Sequence, residues 1–248
     1  MNWYQQNLKE NGYTMSYLTL RLWIGLIGFL LPILLPLGEY LLNTNPTPFQ
    51  SSISHYYFSK MHMLFTGLLM ILGAFLVTYK GKYKYENWLS TLAGICAAFV
   101  AIFPTPIEGY LPKEDSAFLK INHDLGDHVK VLHFGSAVTM FLCFMLISII
   151  YFTASDSTEP NINHTLKRRR NRIYVGTGIG IGVSLLLALL FMKDWLIKLP
   201  PNNWLEIHAT YFFESTALFC FGLAWLVKGS FMWGSKGILY KVFLQWFR

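Results

Sequence analysis

Residues 17–42 read YLTLRLWIGLIGFLLPILLPLGEYLL, and Arg21 and Glu39 are the only charges among them. A helix rises about 1.5 Å per residue, so an apolar run of about 20 residues is enough to cross the hydrocarbon core of a bilayer. Pro32 and Pro36 fall in the later half of the run. Each lacks a backbone N–H and crowds the preceding turn, which predicts a kink there. The run is too long for the apolar core of a signal peptide and reaches Glu39 without an A-x-A-like site, so it is expected to stay as a helix.

Working outward, five more apolar runs follow: Lys60 to Thr78, Trp88 to Phe103, Val131 to Thr153, Ile173 to Met192, and Trp204 to Val227. The fold class this predicts is all-α: a polytopic transmembrane bundle of six spans. It divides the chain into an N-terminal arm (1–16), a six-helix membrane domain (17–228) and a tail (229–248). Composition agrees. The 248 residues are 54% hydrophobic and 13% charged, where a soluble domain carries about 25% charge. No loop is long enough to form a separate soluble domain, and no internal repeat stands out.

In a soluble protein the net charge of +7 would point to nucleic acid or an acidic partner. Here the basic residues sit in short loops between apolar runs, where they set orientation and meet anionic headgroups. Membrane lipids, and not nucleic acid, are therefore the expected surroundings. The second and fourth loops and the two flanks hold 14 of the 20 lysines and arginines; the other six are Lys60, Lys113, Lys120, Lys130, Lys193 and Lys198. With an even number of spans, this bias predicts an inner-membrane protein with both ends in the cytoplasm. Cys96, Cys143 and Cys220 all lie inside apolar runs and read as small buried hydrophobes, uninformative about redox compartment.

In the tail, Ile238, Leu239, Val242, Phe243 and Trp246 recur at helical spacing, with Lys236, Lys241 and Arg248 elsewhere on the wheel. This predicts an amphipathic helix lying on the cytoplasmic surface. Trp3, Tyr4 and Tyr13 are placed to anchor the arm at the same interface.

Gly176, Gly178, Gly180 and Gly182 superficially match a nucleotide-binding loop. No strand precedes them and no acidic residue follows at the required distance. Small residues four apart let helix backbones approach closely, which is the reading adopted here.

Six of the seven histidines (His55, His62, His123, His128, His133 and His208) map to the outer ends of spans or the outer loops. The bland explanation is that interfaces tolerate histidine. Glu214 resists such an explanation, because it lies about ten residues into the last span, on the order of 15 Å deep. A carboxylate at that depth costs several kcal/mol unless it is protonated, paired or wetted, and so marks a functional site by default. His133, in the first turn of the fourth span, is its expected catalytic partner. Ser52, Ser54, Tyr56, Tyr57, His62 and His208 are the expected ligand-binding groups around one outward-facing polar cavity. There is no HxxxH and no HExxH, so the metal signal is weak and the cofactor is left open. Asp124 and His128 are spaced to share a helix face; histidines suited to a pair of haems are missing from the inner leaflet.

The Ser51-Ser52-Ile53-Ser54-His55-Tyr56-Tyr57 element resembles a pattern in a group of bacterial multi-span proteins known only as a domain of unknown function. So do Ala101-Ile102-Phe103-Pro104-Thr105, His133-Phe134, and the stretch from Glu214 to Gly229 with its Leu223-Ala224-Trp225-Leu226-Val227-Lys228. The resemblance implies a six-helix membrane fold and no established activity. A more distant likeness is to the alkaline ceramidase superfamily of membrane metal hydrolases, which have seven spans and a serine, aspartate and three-histidine set including HxxxH. This chain departs from that pattern in lacking the HxxxH and a seventh span.

Three functions fit these residues. One is a membrane module that binds a lipid or small ligand in the polar cavity. Another is a membrane hydrolase, metal-dependent or not, that acts on lipid or an extracytoplasmic substrate. The last is a proton-coupled transporter with Glu214 as the titrating group. Oligomeric state is left open.

Overall fold

The computed structural model describes residues 17–42, 48–103, 127–154, 164–191 and 204–229. Six helices account for most of them: α1 (Tyr17–Leu42), α2 (His62–Thr78), α3 (Lys84–Ile102), α4 (Asp127–Leu146), α5 (His164–Phe191) and α6 (Trp204–Lys228). A 3-10 turn, Ser54–Phe58, precedes α2, and α4 ends in one turn of π-helix, Ile147–Tyr151. No strand occurs among the described residues. The chain is all-α.

Five of the helices, all but α2, are long and apolar enough to cross a membrane. The protein is therefore a multi-pass membrane protein. Helix α2 is equally apolar but has 17 residues, about 26 Å of helix.

Each helix packs on its neighbours in sequence, and α6 returns to pack on α1, which closes the six into a ring. The ring is filled by Tyr56, Phe65, Tyr79, Phe144, Phe221 and Trp225, all nearly inaccessible. Its outside is apolar too, as on α5, where Val175, Ile179, Val183 and Leu186 form an exposed stripe at spacings of three and four. Such a stripe suits lipid and would be unusual against water.

Close approach of backbones sets the ring's diameter. A Cβ on Gly73 of α2 would lie 2.8 Å from the Gly94 carbonyl oxygen of α3, and one on Gly94 would lie 2.5 Å from that of Gly73. Gly25 of α1 and Gly222 of α6 face each other in the same way. On α5, Gly178 and Gly182 seat Ile149 and Met145 from the preceding helix. Gly178, Gly180 and Gly182 of the glycine run therefore pack against neighbouring helices, while a Cβ on Gly176 would meet nothing within 4 Å.

Helix α1 continues through both prolines. Pro36 has no N–H to give to the carbonyl four residues earlier, which leaves the Pro32 oxygen an orphan in the bundle interior. The Tyr211 hydroxyl from α6 donates to that oxygen at 2.6 Å. At the far end of α1, the Lys60 ammonium donates to the Leu42 carbonyl at 2.7 Å, satisfying one of the helix's last acceptors.

Several boundaries differ from expectation. Helix α2 begins at His62 rather than Lys60, because the preceding residues fold into the 3-10 turn. Helix α3 begins at Lys84, four residues before Trp88. There the Glu86 carboxylate accepts the backbone N–H of Lys82 at 3.0 Å and of Tyr83 at 3.4 Å, a favourable site for an acid at a helix start. The basic run Lys167 to Arg172 lies within the first turns of α5, not in a loop. The N-terminal arm, the amphipathic tail, His123 and Asp124, the expected partner of His128, lie outside the described residues.

Candidate functional site

The segment from Phe49 to Ser59 folds back against α6. Its anchors are backbone groups: Tyr211 N–H donates to the Ser51 carbonyl at 3.1 Å, and Ile53 N–H donates to Glu214 Oε2 at 2.7 Å. His208 Nδ1 donates to the Gln50 carbonyl at 3.2 Å, and the Phe49 ring packs edge-on against Tyr211 at 5.5 Å. Irregular backbone at membrane depth must have its polar groups satisfied from within the protein. Glu214 and Tyr211 do so here.

Beneath this segment lies a cavity of about 50 Å³, lined by Ile53, Ser54, His133, Glu214 and apolar side chains of α1, α2, α3, α4 and α6. A site of that volume, with several polar groups, has room for a few waters or one small polar group. Glu214 also lines a second, apolar groove between α4, α5 and α6, bounded by Phe134, Ala188, Phe213 and the outward-facing Leu189. One carboxylate therefore lines two neighbouring, partly open and mostly apolar spaces, one of which also holds His133 and Ser54.

His133 is buried. Its Nδ1 donates to the Phe103 carbonyl at 2.6 Å, an acceptor left over where α3 ends. With the proton on Nδ1, Nε2 is the remaining nitrogen and acts as an acceptor or base in the neutral ring.

Ser52 Oγ lies 3.1 Å from Ser54 Oγ and 2.5 Å from His55 Nδ1. The same oxygen accepts the His55 backbone N–H at 3.3 Å, so it also caps the 3-10 turn. Burial lowers the His55 pKa from the ordinary imidazole value and favours the neutral ring.

Of the residues singled out from the sequence, His133, Glu214 and Ser54 line the cavity together, and Ser52 stands one hydrogen bond behind. The others hold the segment in place. Tyr56 donates to the Pro48 carbonyl at 2.7 Å. His62 Nδ1 donates to the Tyr57 carbonyl at 2.7 Å, with the Tyr57 ring edge-on at 4.3 Å. His208, as above, binds Gln50. None of these four side chains lines the cavity. Among the described residues, no three of His, Cys, Asp and Glu converge closely enough to hold a metal ion.

Two features are missing from the sequence reading. His55 stands three residues after Ser52, a spacing that signals a side-chain contact in any tight helical turn. The second lies at the other end of the ring, where Arg21 Nη2 donates to the Tyr79 hydroxyl at 3.2 Å and that hydroxyl donates to Glu86 Oε1 at 2.8 Å. Glu86 looks like a loop residue in the sequence, and only the early start of α3 buries it.

A family model matches residues 26–227, which covers the folded-back segment, His133 and Glu214. The chain belongs to the family "Protein of unknown function (DUF998)". No curated protein and no solved structure matches it. Family membership thus brings no activity to this DUF998 protein, and its function has to be argued from the site.

Proposed function

We propose that this DUF998 protein is a six-span inner-membrane protein, with both ends and its amphipathic tail cytoplasmic, that binds an amphiphilic lipid at the Glu214–His133 cavity. The observation that carries the reading is the double position of Glu214, which lines both the cavity that holds His133 and Ser54 and the apolar groove between α4, α5 and α6. A ligand that fits both spaces has one small polar group, such as a hydroxyl, amide or carbonyl, joined to a hydrocarbon chain. Glu214 and His133 would bind the polar group, with Ser54 beside them, and the chain would lie along Phe134, Ala188 and Phe213.

Native mass spectrometry of the protein extracted from its own membrane tests this. Wild type is expected to retain a lipid adduct. Glu214→Gln keeps an acceptor for Ile53 N–H, so it should remain folded while losing the charge. A hydrogen bond to a charged group contributes about 1.5–3 kcal/mol, so retention should fall roughly tenfold or more. Equal adducts on wild type and variant, with equal melting temperatures, would remove Glu214 from ligand binding.

A second reading, hydrolysis of a lipid, is supported by the contact between Ser52 Oγ and His55 Nδ1, the nucleophile–base pairing such chemistry requires. It differs in outcome, since a bound lipid would be cleaved during incubation and Ser52→Ala would stop the cleavage. If Ser52→Ala leaves the adduct intact and no product ever forms, Ser52 is a cap and nothing more.

A further inference from the structure

At the end of the ring opposite Glu214, two cations converge, and among the described residues neither makes a direct ion pair. Arg21 opens α1 and Lys228 closes α6, and their backbones are neighbours: a Cβ on Gly229 would lie 3.4 Å from Arg21 Cβ. Arg21 gives one N–H to Tyr79, and its guanidinium carbon stands 5.5 Å from the centre of that ring. Its Nε is buried and has no acceptor. The Lys228 ammonium lies 5.0 Å from the Phe152 ring centre and 5.8 Å from that of Tyr174, with no oxygen acceptor among the described residues. Trp225 joins the two halves, edge-on to Tyr79 at 4.8 Å and to Phe152 at 5.2 Å. The π turn ending α4 brings Phe152 there.

Lys228 is also within electrostatic reach of Arg170 and Lys82, and among the described residues the anion within its reach is Glu86. Glu86 is already committed, with Oε1 to Tyr79 and Oε2 to the backbone of Lys82 and Tyr83. The C-terminal dipole of α6 favours Lys228, but it offers only partial charge at the helix end. It does nothing for the buried Nε of Arg21. Cation–π contacts hold a charge in place without neutralising it. Ordinary snorkelling of interfacial lysine explains Lys228 alone, and leaves the orphaned Arg21 donor unexplained.

We infer that Arg21 and Lys228 form a binding site for a phosphate-type anion at this end of the bundle, walled by Tyr79, Phe152, Tyr174 and Trp225. The guanidinium fork suits two phosphate oxygens and the ammonium acts as a point charge beside it. The phosphate has two possible sources, the headgroup of an anionic membrane lipid and free inorganic phosphate.

Melting temperatures separate them. Wild type is compared with Lys228→Gln, which removes a charge that makes no hydrogen bond, and with Lys167→Gln, which removes a charge elsewhere on the same end. The probes are inorganic phosphate in neutral detergent at constant ionic strength, and nanodiscs of phosphatidylcholine with or without phosphatidylglycerol. A free-phosphate site raises the melting temperature with phosphate, and Lys228→Gln weakens apparent affinity at least tenfold. A headgroup site shows the same loss with phosphatidylglycerol only. Lys167→Gln should respond like wild type in both. The site is refuted if neither probe shifts wild type, or if Lys167→Gln and Lys228→Gln lose the response equally, since that would be diffuse surface charge.

Discussion

Tyr211 owes its place to a proline on another helix. Pro36 cannot donate to the Pro32 carbonyl, and the Tyr211 hydroxyl takes over at 2.6 Å. Tyr211→Phe keeps the ring packing and removes the donor. Hydrogen bonds between membrane helices contribute about 0.6–2 kcal/mol, and a buried carbonyl left without a donor adds to the loss. The expected cost is therefore about 1–2 kcal/mol, read as earlier unfolding in a denaturing-detergent titration. Pro36→Ala restores an N–H at position 36, which can reach the Pro32 carbonyl within the helix. In that background Tyr211→Phe should cost clearly less. Strict additivity of the two changes would mean that the hydroxyl and the missing N–H are unrelated.

Helix against helix, small residues decide the spacing. Gly73 and Gly94 bring α2 and α3 within backbone contact, while a Cβ on Gly67, two turns earlier on α2, would meet nothing within 4 Å. Gly73→Ala should therefore push α3 away and lower the melting temperature. Gly67→Ala should leave it unchanged or raise it slightly, because alanine favours a helix by about 0.5–1 kcal/mol over glycine. A Gly73→Ala protein as stable as wild type would show that α2 and α3 are not held by that contact.

The elements also show what a sequence discloses. Long apolar runs marked α1, α4, α5 and α6 because length and hydropathy are local properties, and depth along α6 was enough to single out Glu214. Proximity of Glu214 to the Ser51–Phe58 stretch was not local. It depends on Ile53 N–H finding a carboxylate 161 residues away, and nothing in SSISHYYF distinguishes a folded-back segment from an ordinary loop. For the same reason His62 and His208 are expected from the sequence to bind ligand around the cavity, although their ring nitrogens bind the segment's carbonyls. Glu86 was hidden by a helix start misplaced by four residues.

At the scale of the whole molecule, closure of the ring couples packing to topology. Helix α6 lies against α1, and Arg21 and Lys228 share one end, while Glu214 stands 14 residues before Lys228, about 21 Å along the helix. If all six helices cross the bilayer, the ends of the chain lie on the same side, and the charge bias says that side is the cytoplasm. The 14 inner against six outer lysines and arginines motivate the assignment. Lys82 and Arg169 are both exposed at the Arg21 end of the ring. Single cysteines at these two positions are made in a chain whose Cys96, Cys143 and Cys220 are replaced by alanine. In intact cells they should resist an impermeant thiol reagent and react once the membrane is opened. A cysteine at Asp115, between α3 and α4 in the sequence, should react from outside. Labelling of Lys82→Cys and Arg169→Cys in intact cells would invert the orientation and turn the Glu214 cavity toward the cytoplasm. Labelling of only one of the two would mean that an odd number of helices crosses between them, so that α3 and α4, the two helices between these positions, would not both count as spans.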